Sequence, residues 1–292
     1  NFGGAAAGGT ASVQDEDFII ALATHKGHSQ AVNTQVLHCG GCGAEFILPP
    51  RQLAWSCPYC ASNHAVLQSE ERALIQPNSL IPFALNADQA RSLTAAWLHK
   101  NLDNSEGQLE SLQGIYLPMW TFDVGGFTNW NLEVMELKNW QPQQGSRGIY
   151  YDDLRIPATR KLNLPLPKLF ATYDLKKLIP FDDRYLASWL AESYAIQAGD
   201  AALLAREQAL LHEKEYFNAA YFLPTRNLRI DTSRMLVEQY KLVLLPVWVA
   251  ALRVEDQHHN LLVNGENGKF VPDQGLENAS SGWLGRLLNW RD

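Results

Sequence analysis

Four cysteines carry the most legible chemistry in the sequence. Cys39, Cys42, Cys57 and Cys60 form a C-x2-C-x14-C-x2-C pattern inside VLHCGGCGAEFILPPRQLAWSCPYCASNHAV, residues 36–66, and the 292-residue chain has no other cysteine. Each CxxC has the length of a tight knuckle whose two thiolates converge on one ion, and a second knuckle brought alongside completes a tetrahedron. Gly40, Gly41 and Gly43 suit the turn of the first knuckle, and Pro58 that of the second. The pattern predicts one structural zinc per chain, bound by Cys39, Cys42, Cys57 and Cys60 in a zinc ribbon over residues 36–68. A redox dithiol pair or another metal is the competing reading. Four thiolates leave no open coordination position for water or substrate, so the predicted zinc folds the module and does not react. Phe46, Ile47, Leu48, Leu53 and Trp55 give the intervening strands an apolar face, and the ribbon is expected to have a small core of its own.

Other candidate chemistry is sparse. Asp152 with Asp153, and Asp182 with Asp183, are adjacent acid pairs that could serve acid–base catalysis between two halves of the chain, or simply cap turns. His25 and His28 have a metal-compatible spacing but no neighbouring cysteine, which favours a solvated turn. No GxSxG, HExxH or glycine-rich nucleotide loop occurs, and GENGK at 265–269 lacks the spacing of a phosphate loop. The formal net charge is −7, and between Val36 and Val66 only Glu45 and Arg51 are charged besides the cysteines and His38 and His64. Phosphate contacts need clustered cations, so a protein partner is favoured over nucleic acid. Cysteines confined to one cluster suit a reducing cytoplasm.

These residues must be positioned by the rest of the chain. The expected fold class is α+β: an N-terminal zinc ribbon followed by an internally duplicated body rich in antiparallel sheet. Residues 1–14 read as a flexible leader, and 15–35 as a short helix and linker with Phe18, Ile19 and Leu22 on its apolar face. Two α+β halves follow at 69–170 and 171–275. Each contains an LIPF segment, Leu80–Phe83 and Leu178–Phe181, and later an LPxW strand, GIYLPMWTFDV from Gly114 and LVLLPVWVAALRV from Leu242. Asn86 with Gln89 has capping-box spacing ahead of a helix bearing Ala90, Leu93 and Trp97. In the second half Tyr185, Leu186, Trp189 and Leu190 suggest an equivalent helix, broken at Gly199. A longer helix capped by Asp200 then follows, with Leu203, Leu204, Glu207, Leu210, Leu211 and Phe217 keeping a helical period. Residues 260–271 read as a hairpin turning through Asn264-Gly265 and Asn267-Gly268. Residues 276–292 form an amphipathic tail in which Trp283, Leu287 and Trp290 could meet a membrane surface, a partner groove or the body. No apolar run reaches the 18 residues of a membrane span.

Taken together, the CxxC pair at Cys39–Cys60, the PF-helix segment at Pro82–Trp97, the strands at Ile115–Asp123 and Leu244–Val254 and the Val263–Gly268 hairpin resemble a family of bacterial zinc-ribbon proteins. Its ribbon is of the transcription factor IIB type, and its function is largely unknown. Here the family's hairpin Thr-Gly is Asn267-Gly268, and the transmembrane segments that commonly follow the hairpin are absent. Members are often encoded beside stomatin/flotillin-like and phage-shock-like membrane-stress proteins. The resemblance implies a non-catalytic adaptor in the cytoplasm, at the inner-membrane surface, with a protein of that kind as partner. A nucleic-acid-binding accessory protein is the first alternative, and an enzyme with a site between the two halves the second.

Overall fold

The computed structural model describes residues 13, 15–19, 32–47, 54–65, 69–102, 107–159, 164–254 and 257–277. Their elements in order are β1 (Glu16–Asp17), β2 (Val32–His38), β3 (Glu45–Ile47), β4 (Ala54–Ser56), β5 (Asn63–Ala65), β6 (Ser69–Leu74), β7 (Ser79–Leu80) and α1 (Ala87–Asn101). Then come β8 (Gly107–Glu136), β9 (Asn139–Pro157), α2 (Leu166–Phe170), β10 (Ile179–Pro180), β11 (Leu190–Glu192), α3 (Ala198–Ala220), β12 (Thr225–Val254), β13 (Gln257–Asn264) and β14 (Phe270–Pro272). The fold is mixed α+β, as expected, with one twelve-stranded, mainly antiparallel sheet and the two-stranded β4–β5 hairpin among the described residues.

The two LPxW segments are the middles of β8 and β12, which pair antiparallel from Val254↔Gly107 to Thr225↔Val134. Their prolines have a topological reason. The outer neighbour of β8 is β11 at Ile115 and Tyr116 and becomes β9 from Met119 onward. The outer neighbour of β12 is β7 at Val243 and Leu244 and becomes β13 from Val247 onward. Pro118 and Pro246 stand at the two change-overs, where the absent N–H breaks no ladder bond. Each still accepts through its carbonyl, from Ala158 N and Gly265 N respectively. The arrangement does not extend to the LIPF pair. Leu80 lies parallel to β12, whereas Ile179 and Pro180 pair antiparallel with β7 itself. The segment after the second LIPF is a short 3-10 turn, Asp183–Leu186, rather than the expected helix, and Leu190 already belongs to a strand.

Alternation along the paired strands sorts side chains onto two faces. One face carries Trp120, Phe122, Tyr240 and Leu242, packed by α3, and Trp248 and Leu252, packed by α1. Trp120 donates to Ile196 O at 2.8 Å, which satisfies its buried N–H. The other face carries Ile115, Leu117, Met119, Val243, Leu245 and Val247, covered by α2 and by the ribbon residues Leu37, Phe46 and Trp55. The ribbon therefore shares the body's core instead of having a separate one.

Two further expectations need correction. Glu16 and Asp17 do not open the expected helix but extend the sheet against Tyr240 and Gln239, and helix begins after them at Phe18 and Ile19. Glu16 is held there by Tyr240 Oη and Asn78 Nδ2, and Phe18 packs edge-on to Phe122 and Tyr240, while Ile19 is exposed. Residues 20–31, with Leu22, His25 and His28, lie outside the described residues. In α3, Gly199 lies within the first turn, and the buried stripe is Ala198, Ala201, Ala202, Ala205, Ala209, Glu213 and Phe217. Leu203, Leu204 and Leu211 face solvent. The small stripe lets the helix backbone approach the large aromatic side chains of the sheet, so volume overrides hydrophobicity in choosing the face. The capping box of α1 is present as expected, with Gln89 N donating to Asn86 Oδ1 at 2.9 Å and Asn86 N to Gln89 Oε1 at 3.0 Å. The choice of face is testable by urea denaturation. Ala205→Leu should destabilise the protein by about 1–3 kcal/mol through overpacking, while Leu203→Ala should change stability by less than about 0.5 kcal/mol.

Candidate metal centre

The two knuckles are built alike. In the first, Gly43 N donates to Cys39 O and Cys39 N to Ala44 O, both at 2.8 Å. In the second, Ala61 N donates to Cys57 O and Cys57 N to Ser62 O, both at 2.9 Å. The residue after each second cysteine is left-handed, Gly43 at φ 69° and Ala61 at φ 55°. Glycine takes this conformation freely, and alanine takes it at a cost. Gly41 lies where the knuckles meet: a Cβ there would fall 2.6 Å from Ser62 Oγ and 3.2 Å from Cys60 Sγ.

All four sulfurs lie within 4.8 Å of one another, with Cys39 Sγ to Cys60 Sγ at 3.5 Å and Cys42 Sγ to Cys57 Sγ at 3.6 Å. A tetrahedron with metal–sulfur bonds of about 2.3 Å has sulfur–sulfur edges of about 3.8 Å, so the donor set fits a single ion. Burial pushes the Cys39 and Cys57 thiols up, the latter strongly, and a cation is the natural means of holding such sulfurs as thiolates. At Cys60 burial acts in the same direction but is outweighed, first by the Ser62 hydroxyl and backbone and then by the neighbouring thiols, and its pKa is lowered to about 7.

The centre is fastened to the body at two points. Strand β3 pairs with β11, Ile47 opposite Ala191 and Phe46 opposite Glu192, and β11 in turn runs parallel to β8. Tyr59, inside the second CxxC, donates to Glu192 Oε2 at 2.5 Å, while Thr159 Oγ1 donates to Glu192 Oε1 at 2.6 Å. Burial, reinforced by the Glu192 charge, keeps the Tyr59 phenol well above its ordinary pKa, so it remains a donor. Phe46 stacks edge-on with Trp55, 4.9 Å between centroids, under the same knuckle.

A second constellation gathers where β8 and β9 are bulged. Asp123 faces both Asp152 and Asp153, and the three carboxylates can present oxygens within 4.8 Å of one another. Asp153, at φ 51°, donates its N–H to Asp123 Oδ1 at 3.0 Å, and Lys241 Nζ bridges Asp15 at 2.7 Å and Asp153 at 2.8 Å. Burial raises the Asp123 pKa to about 6, helped by the charges of Asp15, Asp152 and Asp153 and opposed by the Asp153 N–H. Asp182 behaves as a capping residue: it accepts from Arg184 N and pairs with the Arg184 guanidinium. The structure does not bring the two acid pairs together into one acid–base site.

No protein-family model and no solved structure matches the chain. The chain is similar to the uncharacterized protein YdjG of Bacillus subtilis (strain 168), 25% identical over 228 residues, which is 71% of this chain and 66% of that protein. It thus spans just under two thirds of the length of that relative. No helix among the described residues is long and apolar enough to cross a membrane.

Tyr59, Glu192, Asp123 and Lys241 escaped the sequence reading, because their partners come from strands remote in sequence. The Asp123 site makes a prediction with a definite sign. The folded chain binds this proton more tightly than the unfolded chain, so the group subtracts stability as pH rises from about 4 through about 6. Asp123→Asn keeps an acceptor for Asp153 N–H. It should therefore melt at higher temperature than the native protein at pH 7.5, and the gap should shrink by pH 5. A gap that is constant with pH would contradict the assignment.

Proposed function

We propose that the chain is a non-catalytic zinc-ribbon scaffold that contacts a protein partner, with one zinc held by Cys39, Cys42, Cys57 and Cys60. The observation that carries the reading is the thiol set itself. Four sulfurs at tetrahedral spacing would occupy every position around one ion, and two of the residues, Cys39 and Cys57, are almost completely buried. Zinc bound there would crosslink the knuckles as a formally dianionic centre. A dithiol oxidoreductase would instead need one CxxC pair free to react. Among the described residues beside the cysteines, exposed Gly40, Gly41, Gly43 and Ala61 are small and uncharged and exposed His38 is paired with Glu45, which favours packing by a protein over contact with phosphate.

The resemblance to the bacterial ribbon family adds a location and a partner class to the proposal. The place is the cytoplasmic side of the inner membrane, and the partner is a stomatin/flotillin-like or phage-shock-like protein. Trp283, Leu287 and Trp290 of the tail, which lie outside the described residues, would add a peripheral membrane contact. The proposal is tested in two steps. Elemental analysis of the freshly purified protein should give one zinc per chain, and Cys57→Ser should reduce it to a small fraction of that. A pull-down from the native host in mild detergent should then retain a protein of the named class with the native chain and lose it with Cys57→Ser. A DNA mobility shift that weakens with salt, together with no such partner, would turn the reading to nucleic-acid binding.

A further inference from the structure

The end of the sheet remote from α1 presents apolar side chains that nothing in the fold requires. The β8–β9 hairpin turns through Leu137 and Lys138, with φ of 44° and 69°. A two-residue turn with both residues left-handed is made at least cost by Asn-Gly or Asp-Gly, and a leucine there is a backbone outlier. This leucine is 98% exposed. The loop from α3 into β12 arrives at the same end, since Met135 N donates to Pro224 O at 3.0 Å and Thr225 pairs with Val134. It carries Phe222, 103% exposed, and Leu223, 49% exposed. Two adjacent turns thus hold three large apolar side chains in water, one of them in a strained conformation.

Behind this tip the side chains change character. Trp140 lies under the Arg226 guanidinium, 4.1 Å from ring centroid to Cζ, and the Tyr221 hydroxyl donates to Gln143 Oε1 at 3.1 Å. Lys138 projects from the turn itself, and Arg226 is paired with Glu133. An apolar tip backed by a tier of Trp, Tyr and cations matches the layering of a bilayer interface, where aromatic rings settle at headgroup level and aliphatic groups enter the acyl boundary. The area decides between lipid and protein. Three side chains of this size offer on the order of 500 Å², short of the roughly 800 Å² per partner that a stable protein interface buries. The three side chains stand out from two turns, and a fluid lipid surface can receive them without a complementary pocket.

We propose that the tip formed by Leu137, Phe222 and Leu223 inserts into the headgroup region of a lipid bilayer. This goes beyond the scaffold reading and stands independently of the metal, of any protein partner and of the tail. Near the tip the charges balance, with Lys138 and Arg226 against Glu133 and Glu136, so insertion is driven by apolar burial. It should occur on phosphatidylcholine vesicles as well as on vesicles containing phosphatidylserine, and salt should weaken it little.

The test is vesicle flotation of the full chain, of the double variant Leu137→Asn with Phe222→Ser, and of a chain ending at Asn278. Asparagine suits the left-handed turn position, so the double variant should melt no lower than the native protein. The native and shortened chains should both float on phosphatidylcholine. The double variant's partitioning should fall by at least about tenfold, as expected when exposed Leu and Phe side chains are lost. Three results would overturn the proposal: no flotation of the native chain on either vesicle, equal flotation of the double variant, or loss of flotation on removing the tail alone. Concentration-dependent self-association abolished by the double variant, without vesicle binding, would reassign the tip to a second copy of the chain.

Discussion

The antiparallel pairing of β8 with β12 governs the rest of the structure. Two thirty-residue strands, paired along their length with a few bulges, create both packing faces at once. Helices α1 and α3 cover one face and α2 the other, while β9 and β13 lengthen the sheet at opposite ends of the pair. The prolines of the LPxW segments mark where each long strand exchanges one outer neighbour for another, so a feature that would weaken an ordinary central strand here falls at a junction. The pairing is interrupted where buried polar groups gather. The bulge at Asp123 turns three carboxylates and Lys241 together on the flank of β9.

The cysteine centre is tied to this frame instead of hanging from it. A backbone path runs from β8 through β11 to β3 and β2, and Glu192 on that path anchors Tyr59 from inside the second knuckle. Because Phe46 and Trp55 are part of the same apolar cluster as Ile115, Leu117 and Val247, the order of the knuckles and the order of the sheet are energetically linked. The four cysteines are thereby held in a fixed orientation relative to the long strands.

What the sequence made legible was local. The CxxC knuckles and the Asn86–Gln89 capping box are each determined within a few residues, and both take the expected form. The α+β class was legible from alternation and turn residues. What escaped was set by remote partners. The second LIPF segment looks like the first but is used as a neighbour of β7, because a strand's place depends on what is already beside it. In α3 both alanines and leucines repeat at helical spacing, and sequence hydrophobicity favoured the leucines. The sheet under the helix is already filled by Trp120, Phe122 and Tyr240, and admits only the alanines. Glu192 within LAESY carries no sequence signal that it will receive Tyr59, 133 residues away.

The most direct test of a metal centre joined to the sheet is hydrogen exchange of the native protein, metal-loaded against chelator-stripped, read peptide by peptide. If the account holds, stripping the metal accelerates exchange in residues 36–47 and 54–65 and also in Leu190–Glu192 and the neighbouring Ile115–Leu117 of β8. Acceleration confined to residues 36–65, with β11 and β8 as protected as before, would contradict it and make the ribbon an independent module.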